Sequence, residues 1–199
     1  MSINRKKSQY PHRKPELVYR QGDRATVCYR VTRGLVWLVR TTARGDQMLV
    51  EQVLPGDFFG HEALLGNEEK FRNEAVQIIP GTLVEKVSTE SFTVPLRRAL
   101  FKNLMQRNLA GQWTMSIRSL PYLADRVLAF FVFLAKNGLG ATKGEMVAVF
   151  CPRHQEIALA LSACRESVSL ALRELRCAKR IVKQGRAQVL IPIEIVKKT

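Results

Sequence analysis

Histidine is nearly missing from this chain: 199 residues contain three, His12, His61 and His154, each in a different segment. A metal-dependent enzyme on a β-barrel needs histidines and carboxylates clustered on strands. No His-x-His pair and no defensible nucleophile–base pair is present. The chain is therefore expected not to be an enzyme and to hold no metal. Cysteine is almost as sparse. Cys28, Cys151, Cys164 and Cys177 are scattered without C-x-x-C spacing, which points to free thiols over a disulfide framework. Only Cys28 falls in the first half, so an N-terminal cysteine cluster for an iron–sulfur sensor is lacking. Long apolar runs are absent as well, none approaching the ~18 to 20 residues of a spanning helix. The opening MSINRKKSQYPHRK is basic and polar with no apolar stretch behind it, so a cytoplasmic protein is expected. Negative charge is the scarcest property: 17 Asp and Glu face 32 Lys and Arg, a net +15. That balance favours a polyanionic partner, nucleic acid before membrane, since no basic amphipathic helix with large opposing apolar residues stands out.

What is present organises itself around Arg153–Leu175, RHQEIALALSACRESVSLALREL. Two short helices meeting at a tight corner account for its pattern. In the first, Ile157 and Leu161 share a face at i, i+4, and Ala158 is small enough for a second helix to cross closely. In the second, Val168, Leu172 and Leu175 form one buried stripe at i, i+4, i+7. Arg165, Glu166, Ser169 and Arg173 lie on the opposite face with Leu170 among them. A helix docked across a second whose outer N-terminal face is polar is the helix-turn-helix arrangement. An αα-corner with a merely solvated charged face is the alternative.

The string QEIALALSACRESV resembles the DNA-reading segment of the cyclic-AMP receptor protein and FNR family of bacterial transcription regulators. The run that opens the recognition helix in that family is matched by Arg165-Glu166-Ser167-Val168. Two positions depart from its pattern. Ser162 stands at the corner where glycine is common, at a cost of about 1 kcal/mol in a left-handed conformation. Leu170 stands where the family carries a second arginine.

The remaining segments fit the same order. Residues 1–14 form a basic arm. From Glu16 to about Val87, short β-branched runs alternate with turns at Gly22-Asp23, Gly34, Gly45-Asp46, Gly56-Asp57 and Gly81, the spacing of an antiparallel barrel or jelly roll. FFGHEALLGN interrupts them as one short helical turn. Ser88 to Leu120 is helical, with Pro95 in its first turn and a broad apolar stripe through Leu96, Leu100, Leu104, Leu109, Trp113 and Ile117. The resemblance makes this the dimerisation helix, with Trp113 and Ile117 expected on the part the barrel leaves free. Pro121 breaks it and marks the domain boundary. PYLADRVLAFFVFLAKNG then buries Val127, Phe131 and Leu134, MVAVFCP is a strand, and IVKQGRAQVLIP is a β wing turning at Gln184-Gly185.

The resemblance also implies a cyclic-nucleotide pocket, which can be checked residue by residue. A cyclic phosphate needs backbone N–H groups at a short helix N-terminus and a charged partner. Gly60 allows close backbone approach and Arg72 is the phosphate arginine. His61 replaces the carboxylate expected to hold a ribose hydroxyl, with Glu62 beside it as a partial substitute. Asn73 replaces a hydroxyl, and Glu74 places a negative charge near the phosphate position. These residues describe a vestigial pocket, and no cofactor is expected.

The expected architecture is α+β: an N-terminal β jelly roll, a long dimerisation helix and a C-terminal winged helix-turn-helix. The expected domains are 1–120 (arm, sensor-like jelly roll and dimerisation helix) and 121–199 (DNA binding). The expected function is a homodimeric, sequence-specific activator on palindromic double-stranded DNA, working with RNA polymerase and without cyclic nucleotide. Arg165 is assigned to a guanine edge and Glu166 to cytosine N4. Gln155, Ser167, Arg173, Lys183 and Arg186 are assigned to phosphates, and Ser169 and Leu170 complete the DNA-facing set. A regulator dependent on a cyclic nucleotide or another small molecule stays open, as does a ligand sensor acting on a protein partner.

Overall fold

The computed structural model describes residues 16–66, 68–88, 93–185 and 187–198. The basic arm and Arg186 lie outside them, as does the side chain of Trp113.

The β-branched runs pair as the turn spacing predicts. Strands β1 (Glu16–Tyr19), β2 (Val27–Arg33), β3 (Val36–Thr41), β4 (Gln47–Val53), β5 (Phe58–Phe59), β6 (Glu74–Gln77) and β7 (Leu83–Ser88) form two antiparallel sheets. Their orders are β1-β6-β3-β4 and β5-β2-β7, a jelly roll. At the β2–β3 turn Gly34 has φ 90°, and a Cβ there would lie 2.7 Å from the Thr82 Cα, so only glycine fits. Thr82 is itself fixed: its hydroxyl donates to the Ile79 carbonyl at 2.6 Å and accepts from the Leu35 amide at 3.2 Å.

Strand β3 carries four consecutive buried residues, a sign that both faces are covered. The pleat divides them. Val36 and Leu38 point into the barrel with Val31, Val53 and Phe59, whereas Trp37 and Val39 join a second core on the outside. That second core is continuous with the C-terminal helices, so barrel and winged helix share buried apolar surface.

Helix α1 (Val94–Ser119) has Pro95 in its first turn and packs on the barrel through a buried polar clamp as well as Leu100. The Asn103 side chain accepts the Phe58 amide at 3.0 Å and donates to Asp57 at 2.7 Å. The Arg107 guanidinium holds Glu51 through two hydrogen bonds and also donates to the Phe58 carbonyl. Ile117 differs from expectation. It is 5% exposed and belongs to the core shared with the next helix, so it is unavailable to a partner chain. Among the described residues, the large apolar side chains left in solvent on α1 are Val94, Phe101, Met105, Leu109 and Met115. At about 100° per residue they fall within roughly a third of the helix circumference, opposite the clamp.

Leu120 is extended and α2 (Leu123–Leu134) begins after Pro121. Its Val127, Phe131 and Leu134 are fully buried. A π turn over Ala135–Leu139, with Gly138 at φ 78°, leads into β8 (Gly140–Lys143) and β9 (Met146–Phe150). Helices α3 (His154–Leu161) and α4 (Arg165–Cys177) follow. The wing is β10 (Val182–Gln184) and β11 (Gln188–Pro192), and the sheet runs β10-β11-β9-β8. Strand β8 pairs antiparallel with β9, and the short helix α5 (Ile193–Lys198) follows β11.

Candidate nucleic-acid interface and ligand pocket

The corner between α3 and α4 depends on Ser162, which takes φ 52° and ψ 50°; the Ala163 amide reaches back to the Ala158 carbonyl at 3.0 Å. At the start of α3 the Glu156 carboxylate accepts the Arg153 amide at 2.6 Å and pairs with its guanidinium at 3.2 Å. Ile157, Leu161, Val168, Leu172 and Leu175 are buried, the stripe expected from spacing, and they fix how α4 lies across α3. Arg165, Glu166, Leu170 and Arg173 are exposed on the other side of α4, with Gln155 exposed on α3 and Lys183 on the wing. Leu170 is 60% exposed, unusual for a leucine in a packed helix pair.

Two of the assigned residues are tied down locally. The Ser167 hydroxyl lies 2.9 Å from the Cys164 thiol. That contact and the Ser167 backbone hold the Cys164 thiol below its usual range. Ser169 turns toward α3: its hydroxyl donates to the Arg165 carbonyl at 3.0 Å and lies 2.7 Å from His154 Nδ1. His154, absent from the sequence-assigned set, is thus part of this surface. Its nearest-in-sequence signal is its place in RHQE at the start of α3, which spacing alone does not distinguish from a solvated histidine.

Gln155 and Arg165 also line a cleft of about 510 Å³ between α3 and the barrel, floored by Trp37, Val39, Val76 and Ile78. Beside it, Arg118 of α1 ties the two regions. Its guanidinium donates to the Ala160 carbonyl at 3.0 Å and to the Leu49 carbonyl at 3.2 Å. Burial lowers the arginine's pKa.

Within the barrel, the short 3₁₀ turn His61–Leu64 follows Gly60 at φ 70°. A Cβ on Gly60 would sit 3.1 Å from a Phe71 ring carbon and 3.2 Å from one of Tyr29. The left-handed φ and this close ring packing both favour glycine here, independently of any ligand. Tyr19 and Phe71 stack with centroids 3.7 Å apart, and Tyr29 and Phe59 stack at 5.3 Å. Burial and the nearby Glu62 charge raise the Tyr19 pKa, and the same two causes push the Cys28 thiol up to about 11. Glu62 is buried and accepts the Arg72 backbone amide at 3.1 Å. The Asn73 side chain accepts from Arg40 Nε at 3.0 Å, and Glu74 accepts from Gln47 at 3.3 Å. The Arg72 side chain is exposed and has no ion pair among the described residues. His61 Nδ1 is buried without a hydrogen-bond partner among them.

The family model for the cyclic nucleotide-binding domain matches residues 11–108. The transcriptional regulator SdrP of Thermus thermophilus is 32% identical over 156 residues, 77% of this chain and 72% of its own. The transcriptional regulator LdrP of the same species is 28% identical over 183 residues, covering 92% of each. A crystal structure of a CRP-family transcriptional regulator, also from Thermus thermophilus, superposes with TM-score 0.80 at 28% identity, over 93% of both chains. The chain belongs to the CRP/FNR family of transcriptional regulators. The jelly roll, long helix and winged helix-turn-helix are the fold of that family. The residues that depart from the CRP/FNR pattern are Ser162 at the corner, Leu170 on the exposed face of α4, and His61 and Asn73 in the barrel.

Proposed function

We propose that this chain is a homodimeric, sequence-specific DNA-binding regulator that activates transcription with RNA polymerase and needs no cyclic nucleotide. Residues 1–120 supply the barrel and dimer contact, and residues 121–199 read DNA. The observation that carries the reading is α4 crossing α3 at a left-handed corner, with Arg165, Glu166, Leu170 and Arg173 presented together in solvent. Such a helix places its N-terminal residues on base edges in the major groove. Arg165 then pairs with a guanine, Glu166 accepts from cytosine N4, and Leu170 meets a thymine methyl. Gln155, Ser167, Arg173, Lys183 and Arg186 contact phosphates. A second copy of the chain covers Phe101, Met105 and Leu109, setting two recognition helices about 34 Å apart.

Independence from cyclic nucleotide is supported by where the barrel's polar groups point. Glu62 is engaged with the Arg72 amide and Asn73 with Arg40, while the Phe71, Tyr29 and Tyr19 rings pack against Gly60. Each hydrogen bond a nucleotide fails to recover costs about 1.5 to 3 kcal/mol when a charged group is involved. A ligand shifts an equilibrium only by its differential affinity, so one that hardly binds shifts nothing.

Selection of binding sites from random duplexes, with and without cyclic AMP, tests the reading, followed by transcription from a template carrying the selected site. Palindromic sites, affinities within about twofold in both conditions, and more transcript with the protein are expected. Sites without two-fold symmetry would remove the dimer, and less transcript would make the protein a repressor. Nucleotide binding coupled to a tenfold or larger gain in DNA affinity would overturn the ligand-free reading.

A further inference from the structure

We infer that His154 is a proton-linked phosphate contact, so that each subunit takes up a proton at this ring when it binds duplex DNA. The inference rests on the DNA-binding reading above. It starts from the contacts of Ser169, which lies between the Arg165 carbonyl and the His154 ring. Ser169 has one hydroxyl hydrogen, which it donates to the Arg165 carbonyl at 3.0 Å. With that hydrogen on the carbonyl, the serine oxygen 2.7 Å from His154 Nδ1 is the acceptor, and we assign the ring proton to Nδ1. In the neutral ring Nε2 then holds a lone pair, with no hydrogen-bond partner among the described residues, on an exposed side chain. A lone pair repels a phosphate oxygen. The same nitrogen becomes a donor only when the ring is protonated.

The surroundings make that protonation unfavourable until an anion arrives. His154 is the first residue of α3, and its partner Ser169 lies on α4, so the ring sits across the two helices of the reading unit. Lys183 from the wing and Arg165 and Arg176 from α4 all bias it toward the neutral form, after partial burial. On its own helix Glu156 is engaged with Arg153, which leaves its charge largely answered. The Cys151 thiol, pushed up to about 12 by burial, stays neutral and adds no charge. A DNA phosphate seated by Lys183 and the α3 N-terminus reverses the balance, because an opposite charge within a few ångströms favours the imidazolium. The sign follows from proton uptake. The complex holds more protons than the free protein between the two pKa values, so affinity is greatest at low pH and falls as pH rises.

The effect does not depend on sequence, because phosphates carry it. The test therefore uses a random-sequence duplex of about 30 base pairs, fluorescence anisotropy, constant ionic strength, and pH from about 5.5 to 8.5. His154→Gln keeps a group that can bond Ser169 but cannot charge, and His154→Lys supplies a fixed cation. The wild-type affinity is expected to fall about tenfold more than that of H154Q across the range, and H154K to hold its low-pH affinity throughout. Histidine NMR on the free full-length protein, with the His154 signal identified by its loss in H154Q, should show the neutral ring protonated on Nδ1. Parallel pH profiles for wild type and H154Q, or a neutral ring protonated on Nε2, would overturn the proposal. Failure of all three proteins to bind any duplex at any pH would overturn the DNA-binding reading and this proposal with it.

Discussion

In the barrel and the helix packed on it, Glu62, Asn73 and Arg107 turn their polar groups onto the protein itself; in the winged helix, Arg165, Glu166 and Arg173 turn theirs into solvent. The residue types are alike, and burial separates them. Glu62, Asn73 and Arg107 are all nearly inaccessible, so each would cost several kcal/mol if left unpaired and each has a partner. Arg165 and Glu166 incur no such penalty outside and remain available to a ligand that brings its own charge. The winged helix thus keeps recognition chemistry in reserve, whereas the barrel uses equivalent groups to hold its shape and to grip α1. The comparison has a boundary case in Ser169 and His154, which lie on the outward surface yet are already bonded to each other.

The largest effect is expected at the clamp between α1 and the barrel. Arg107→Ala leaves the Glu51 carboxylate and the Phe58 carbonyl without their donor, and should lower stability by about 3 kcal/mol. A drop in the urea midpoint at unchanged slope is the expected reading. A loss below about 1 kcal/mol would mean the clamp behaves like a surface pair and the barrel is less internally committed than its geometry indicates.

On the outward surface the effect should fall on binding and spare stability. Arg165→Ala should weaken a selected DNA site by about 1 to 3 kcal/mol and relax preference at one base pair per half-site. Lys183→Ala should weaken all duplexes alike and reduce the salt slope by about one. Equal, sequence-blind losses from the two variants would make Arg165 a phosphate contact. A shift in melting temperature for either would show that these groups are not held in reserve.

The smallest effect sharpens the comparison at one base pair. Leu170→Arg exchanges an exposed apolar group for a bidentate donor and should move preference there from thymine toward guanine by about 1 kcal/mol. Site selection with the variant reads this directly, and an unchanged preference would remove Leu170 from the base-reading set.

Much of this was legible in the chain because it lives in short-range pattern. The i, i+4, i+7 stripe of Val168, Leu172 and Leu175, the turn glycines of the barrel and Pro95 in the first turn of α1 each report local geometry, and each stands where spacing puts it. Ile117 shows where pattern runs out. Its place on an apolar stripe says that something covers it, and the covering group is the chain's own core, not a second copy. Asn103 and Arg107 give no local signal for the same reason: polar residues on a helix read as solvated until a barrel edge supplies Asp57, Glu51 and the Phe58 backbone.

By itself, then, the sequence determined the order of elements, the helix-turn-helix corner and the outward set from Arg165 to Arg173, because side-chain periodicity and backbone preference act over a few residues. Tertiary structure alone decided which groups are used up. The run of four buried residues in β3 gains its meaning from the winged helix resting on Trp37 and Val39. Arg118 becomes a tie between regions only when Leu49 and Ala160 are brought to the same guanidinium. Gly60 is crowded by the Phe71 and Tyr29 rings that arrive from distant parts of the chain. In each case the partner is far along the chain, and burial makes an unanswered polar group or an extra methyl too costly to tolerate.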